Sequence, residues 1–292
     1  MRQRRAGLGL PTPVLITLIA IYIIWGSTYF AIRIGLESFP PLLMGGMRFL
    51  AAGIIMLTAL RLRGKSLPTW REWRWAVVFG FLILGVGNGG LILGEQTVAS
   101  GTAALIIATV PLWASIWITL RGKRPTGREW FGVALGFVGI LLLNLGGEFS
   151  ANPVGFAFLL LSAVSWSYGS VWKREVRTAP GLMGSSAELL CAGVLMILAG
   201  LLRGEQITHT PSLESVLALL YLLVFGALIG YSSYSYLLRT VSPALATSYA
   251  YVNPVIAVLI GVLLGGETLG HYSLLAMVFI VGGVVLILTG RK

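Results

Sequence analysis

Apolar residues run through this chain in long blocks separated by short polar links, and each block has the length of a membrane helix. About 20 apolar residues span roughly 30 Å of hydrocarbon. Ten stretches meet that length: 14–36, 42–60, 75–94, 98–120, 129–146, 153–172, 183–202, 214–237, 244–264 and 271–289. The pattern predicts an all-α polytopic membrane protein with ten transmembrane helices. Two blocks are interrupted where a plain anchor would not be. Pro111 falls inside the fourth, and Asn253-Pro254 inside Val241–Glu267, VSPALATSYAYVNPVIAVLIGVLLGGE. A proline within a helix removes a backbone donor and crowds the carbonyl one turn earlier. An amide at that depth is costly without a partner. Softened helices of this kind are tolerated where they line a cavity.

The two interruptions are related by a fixed offset in numbering. Adding 143 brings Val98 onto Val241, Pro111 onto Pro254 and Gly87 onto Gly230. Adding 141 brings Trp25 onto Trp166; adding 140 brings Ala52-Gly53 onto Ala192-Gly193 and Gly64 onto Gly204. Small shifts of offset are what loop insertions leave in a duplicated chain. The division is into residues 1–150 and 151–292, with five spans in each. An odd number of spans forces the second copy to insert upside down. Two inverted five-helix repeats place a substrate site near the bilayer midplane, between the copies.

Composition narrows the partners. The chain is 57% hydrophobic and 11% charged, against about 25% charged in soluble domains, so lipid is the main surroundings. The net charge of +11 does not point to nucleic acid, because the basic residues sit in short links. With the N-terminus in the cytoplasm, 18 of the 21 Lys and Arg fall on the cytoplasmic side, which is the bias that sets orientation. Both termini are then cytoplasmic. Met1–Gly9 resembles the start of a signal peptide, but the apolar stretch after it is full length and reads as a retained first helix. The lone Cys191 can form no internal disulfide, and there is no Asp. No cofactor or metal is implied.

The residues now resemble a family. Trp25-Gly26-Ser27-Thr28-Tyr29, Arg48-Phe49, Pro111-Leu112, Trp166, Ser242-Pro243-Ala244, Pro254-Val255 and Gly266-Glu267-Thr268 together resemble the EamA-type branch of the drug/metabolite transporter superfamily. The likeness covers essentially the whole chain. It implies a bacterial inner-membrane exporter of amino acids and related metabolites, with ten helices.

Candidate cavity residues follow from polar and aromatic groups inside the spans. Ser27 and Thr28 follow Trp25-Gly26 near the middle of the first helix; they either bind substrate or bond back to their own helix. Asn88 sits in a glycine-rich third helix, and its counterpart Tyr231 opens a stripe in which Tyr234 and Ser235 share its face. Tyr249, Asn253 and Pro254 mark the second interruption. Pro111 and Trp113 mark the first, where Trp113 and Trp117 at i, i+4 form an aromatic wall suited to rings, apolar chains or an amine. Trp166 is the counterpart of Trp25. The alternative for Trp113/Trp117 is anchoring at the interface. Two ionisable groups enter the spans at matching depth, Arg48 and Glu188. The inverted arrangement places them near opposite faces, so they are not expected to pair. Arg48 is read as a structural charge, snorkelling or binding helix ends, and Glu188 as a coupling candidate, the one acid inside a span and away from its ends.

The function that fits is a secondary transporter working by alternating access around a largely uncharged pocket, with a small-molecule substrate and lipid as its partners. A broad-specificity drug or toxic-compound exporter is the alternative, and a channel or lipid scramblase a further one. No nucleotide-binding loop is present, so ATP is not the driver. An intramembrane enzyme lacks its parts. His209 and His271 are peripheral, which leaves a serine protease without a base, and a chain without Asp offers no acidic cluster for Mg²⁺. Cargo and oligomeric state are encoded in no motif.

Overall fold

A computed structural model describes residues 11–122, 126–145, 152–241, 249–266 and 272–290. Ser242-Pro243-Ala244 and Glu267-Thr268 lie outside the described residues. Within them the chain is helical wherever it is apolar. We number the helices α1 (Thr12–Leu36), α2 (Pro41–Leu62), α3 (Trp70–Glu95), α4 (Ser100–Leu120), α5 (Gly127–Leu145), α6 (Pro153–Lys173), α7 (Gly181–Leu202), α8 (Leu213–Leu237), α9 (Tyr249–Gly265) and α10 (Ser273–Gly290). Seven of them, α1 to α4 and α6 to α8, are long and apolar enough to cross a membrane. The described apolar stretches of α5, α9 and α10 are shorter.

Local chemistry fixes the ends. Thr69 and Glu72 form a capping box at the start of α3, each satisfying a backbone donor of the other. Ser212 caps α8 by accepting from Ser215 N at 3.2 Å. Prolines open α1, α2 and α6, where their missing donor costs nothing. Gly64, Gly122, Gly204 and Gly266 stop α2, α4, α7 and α9 with φ of 77°, 82°, 76° and 60°, a region open to glycine. Gly64 and Gly204 thus do the same work at matching places in the two halves. At the end of α9 the turn falls on Gly266, next to Gly265, the residue that the offset of 143 pairs with Gly122.

Two helices depart from α geometry in the same way. In α3 the segment Gly80–Asn88 is a π-helix, and in α8 so is Leu222–Tyr231. These wider turns leave carbonyls to be satisfied from outside. Ser165 Oγ of α6 donates to Leu82 O at 2.7 Å, and Ser162 Oγ donates to Gly87 O. Trp25 Nε1 of α1 donates to Gly226 O at 3.3 Å. At Pro111 the fourth helix breaks: Ser100–Ile107 and Val110–Leu120 are joined by a turn at 108–109. Pro254, by contrast, lies inside a continuous helix.

Packing is reciprocal between the halves. Helix α2 lies against α7, and α5 against α10; α1 packs on α8 and α9, as α6 packs on α3 and α4. The α2–α7 contact is backbone against backbone. A Cβ on Gly46 would stand 2.8 Å from Ile197 N, one on Gly53 would stand 2.6 Å from Leu190 N, and one on Gly193 would strike Leu50 N. As residue number rises along α2 its partner's falls along α7, so these two helices run antiparallel. Small residues permit such approach in membranes, where close packing rather than solvent exclusion holds helices together.

Candidate functional site

Residues of both π segments line a cavity inside the bundle. Its walls come from both halves: Trp25, Thr28 and Tyr29 of α1, Arg48 and Phe49 of α2, Gly87, Asn88 and Leu91 of α3, and Ile107 and Val110 of α4. Ser162 and Trp166 of α6, Ala227 and Tyr231 of α8, and Tyr249 and Asn253 of α9 complete it, together with Leu84 of α3 and Gly226 of α8. Room for the centres of water-sized spheres is about 80 Å³. One water needs about 10–15 Å³ on that measure, so the space suits several waters or a small solute. A second cavity, of about 260 Å³ on the same measure, lies toward the α6–α7 link and is lined by Lys173, Arg174, Thr178, Glu188, Tyr234 and Ser235 among others. Tyr231 borders both.

What separates the two cavities is aromatic and charged. Trp25 and Trp166, counterparts in the two halves, meet edge to face at 5.9 Å. Trp25 also contacts Tyr249 at 4.9 Å and Tyr234 at 5.2 Å, and Tyr234 meets Tyr249 at 5.7 Å. Beside these rings Glu188 Oε2 accepts from Lys173 Nζ and from Tyr231 OH, both at 2.6 Å. Glu188 is 1% exposed, and its Oε1 has no hydrogen-bond partner among the described residues. The opposite end of the bundle is tied shut by polar contacts between the halves. Glu205 accepts from Leu42 N at 3.0 Å and Leu43 N at 2.9 Å, capping α2. Ser215 Oγ donates to Ile34 O at 2.8 Å, and Ser212 N donates to Ser38 Oγ at 3.2 Å.

Most of the residues singled out from the sequence converge here. Trp25, Thr28, Asn88, Trp166, Tyr231, Tyr249 and Asn253 line the central cavity, and Tyr234 and Glu188 the second. Asn253 is buried; with its amide nitrogen turned toward them it donates to Tyr22 O at 3.3 Å and Tyr249 O at 3.2 Å. Others fall elsewhere. Ser27 bonds back to Ile23 O and Ile24 O and is hydrogen-bonded to Tyr221 OH at 2.7 Å, in an apolar cleft with Phe30, Ile34 and Leu217. It joins α1 to α8 instead of facing the cavity. Pro111 and Pro254 are buried but line neither cavity. Trp113 packs on Phe137 of α5 at 5.5 Å. Trp117 donates to Ser167 Oγ at 3.1 Å and meets the Tyr168 ring edge to face at 5.2 Å. The expected flat wall does not form, because these two indoles turn to different neighbouring helices.

Arg48 is the main correction. It neither snorkels nor caps a helix end: it is 3% exposed, lines the central cavity and donates from Nη2 to Asn88 Oδ1. As expected, it does not bond to Glu188. The two pairs Arg48–Asn88 and Glu188–Tyr231 instead stand at positions related by the offsets of 140 and 143 in numbering. Lys173 has the sequence position of a link charge, yet its aliphatic stem lets the ammonium reach back from the end of α6 to Glu188. Tyr29 and Phe49 also line the cavity and belong to the motifs that carry the family resemblance, whereas Ser162 has no signal apart from position on a helix face.

An all-helical bundle with several spanning lengths and an internal, ring-lined chamber is a multi-pass membrane protein built to hold a small solute. Comparison with known proteins makes the class specific. The EamA-like transporter family matches residues 12–145 and, again, 153–289. The chain belongs to that family and is a membrane transporter. It is 50% identical over 280 residues to a protein of Escherichia coli K12 named uncharacterized inner membrane transporter YedA, covering 96% of this chain and 92% of that one. It is 30% identical over 266 residues to the uncharacterized transporter YdfC of Bacillus subtilis, covering 89% and 86%. At 24% identity over 288 residues, covering 93% of both chains, it resembles a Salmonella typhimurium protein named probable amino-acid metabolite efflux pump. A solved crystal structure shares the fold with a TM-score of 0.70 at 21% identity, covering 96% and 98%.

Proposed function

We propose that the chain is a secondary transporter of the bacterial inner membrane that exports small metabolites, amino acids or related amphipathic compounds, by alternating access. Residues 1–150 and 151–292 are the two moving units, and they are inverted five-helix repeats. The observation that carries this reading is the antiparallel course of α2 and α7, whose first and last residues are related by one and the same offset in numbering. Two copies of one unit running in opposite senses, with a cavity between them, are what alternating access requires. The reciprocal packing and the paired π segments support it. With the N-terminus in the cytoplasm, the second cavity becomes a vestibule on the cytoplasmic side. The Trp25–Tyr249 rings and the Glu188–Lys173 pair form the inner gate, and the Glu205 contacts the outer seal. Glu188 is the coupling residue. The named activity of the Salmonella relative supports export of amino-acid metabolites.

Counterflow tests it. Purified protein in liposomes preloaded with unlabelled amino acids should accumulate the labelled solute transiently and saturably. Flux that rises linearly with concentration and shows no counterflow would leave a channel or scramblase. A broad-specificity exporter is the second reading, favoured by the apolar side cleft between α1, α8 and α9; it predicts counterflow with chemically unrelated amphipathic solutes.

A further inference from the structure

Resting on that reading, we propose that Arg48 is the residue that selects and orients the cargo, and that the cargo carries a carboxylate or comparable anionic group on an apolar or aromatic body. The cavity walls hold one ionised side chain among their described residues, and it is this guanidinium. It is built in, not incidental. Asn88 Oδ1 accepts a hydrogen bond from Nη2, the Phe49 ring lies 4.6 Å from Cζ, and Nε has no hydrogen-bond partner among the described residues. A buried arginine with a donor left over is costly in a bilayer and marks a binding function by default. The remaining charges nearby do not line the chamber. Glu95, at the end of α3, acts on Arg48 electrostatically, and Glu188 is engaged with Lys173 and Tyr231 beyond the ring partition.

An anionic group entering the chamber meets a planar donor fork, the geometry that recognises carboxylates. Trp25, Trp166 and Tyr249 then offer ring edges and faces to an apolar body. An amine meets repulsion from a like charge in a medium of low dielectric.

Three probes of one shape decide it: 3-phenylpropionate, 3-phenylpropanol and 3-phenylpropylamine, measured by thermal shift on the purified full chain in detergent. The acid alone should stabilise the protein, and Arg48→Gln should weaken its binding by about tenfold or more, the loss of a charge-assisted pair. Arg48→Lys and Asn88→Ala, which keep the charge but lose the fork or its orienting partner, should each weaken it less. If Arg48→Gln does not fold, these two carry the test. The proposal is overturned if the alcohol or amine shifts the protein as strongly as the acid, or if no probe shifts it. It is also overturned if the acid's shift is unchanged in the variants. Counterflow separates the two readings. Saturable exchange of the amine alone would keep the transporter and remove the anion site, whereas acid binding without exchange would do the reverse.

Discussion

Consider removal of Lys173, the cation at the end of α6 that meets Glu188 of α7. Glu188 is 1% exposed and the Lys173 side chain 22% exposed. Both interactions of the carboxylate fall on Oε2, from Lys173 Nζ and Tyr231 OH. Stripping one partner from a fully buried pair costs about 3–5 kcal/mol, against about 0.2–1 kcal/mol for an exposed pair. The lysine reaches the vestibule, so Lys173→Met should cost about 2–3 kcal/mol, between those limits. Glu188→Gln should cost less, about 1 kcal/mol, because the amide oxygen still accepts from Tyr231 and the freed lysine can swing into the vestibule. The double variant should then resemble Glu188→Gln alone, giving a coupling of about 2–3 kcal/mol. Thermal unfolding of the purified protein reads this as a shift on the order of 2 °C per kcal/mol for a chain of this size. Additive effects, or Lys173→Met melting with the wild type, would refute a buried, structurally committed pair. In flux assays Glu188→Gln should also uncouple transport from an imposed pH gradient if Glu188 is the coupling residue; unaltered coupling would remove that role.

Glu205→Ala strips the cap from α2 and should lower stability by about 1–2 kcal/mol in the same melting assay, with Glu205→Gln intermediate; no change would mean the contact is incidental. Adjacent glycines in α10 should part company. Gly283→Ala would place a methyl 2.5 Å from Gly132 O and reduce stability and membrane abundance, whereas Gly282→Ala meets Leu135 Cδ2 at 3.6 Å and should be tolerated. Trp113→Ala should leave counterflow intact at matched abundance, while Asn88→Ala and Tyr231→Phe should reduce it; equal losses in all three would place Trp113 in the pathway.

Much of this architecture is legible in residue spacing. The bounds Pro41–Leu62 and Gly181–Leu202 match at both ends under the offset that relates Ala52-Gly53 to Ala192-Gly193. Apolar length is a local property, so the helices announce themselves. The cavity is legible in part, because a polar or aromatic group deep in an apolar run has few uses besides a binding site or a partner. Direction around a helix is not. A residue in a lipid-bathed helix can face lipid, protein or cavity, and the apolar pattern distinguishes these poorly; Trp113 and Ser27 depart from expectation for that reason. The π segments are hidden too. Glycines at 85, 87, 89 and 90 permit a wide turn, but the serines that complete it lie on α6, in the other half of the chain. Arg48 departs because snorkelling is the usual refuge of a charge near a helix end, and only the tertiary fold shows it turned inward to Asn88.

Where α2 crosses α7, main chain touches main chain, so the spacing there does not depend on which side chains the rest of either helix carries. Cargo preference can therefore drift through changes in the chamber walls while the crossing keeps its shape. Relatives with quite different solutes can share one chassis, provided that Gly46, Gly53 and Gly193 stay bare.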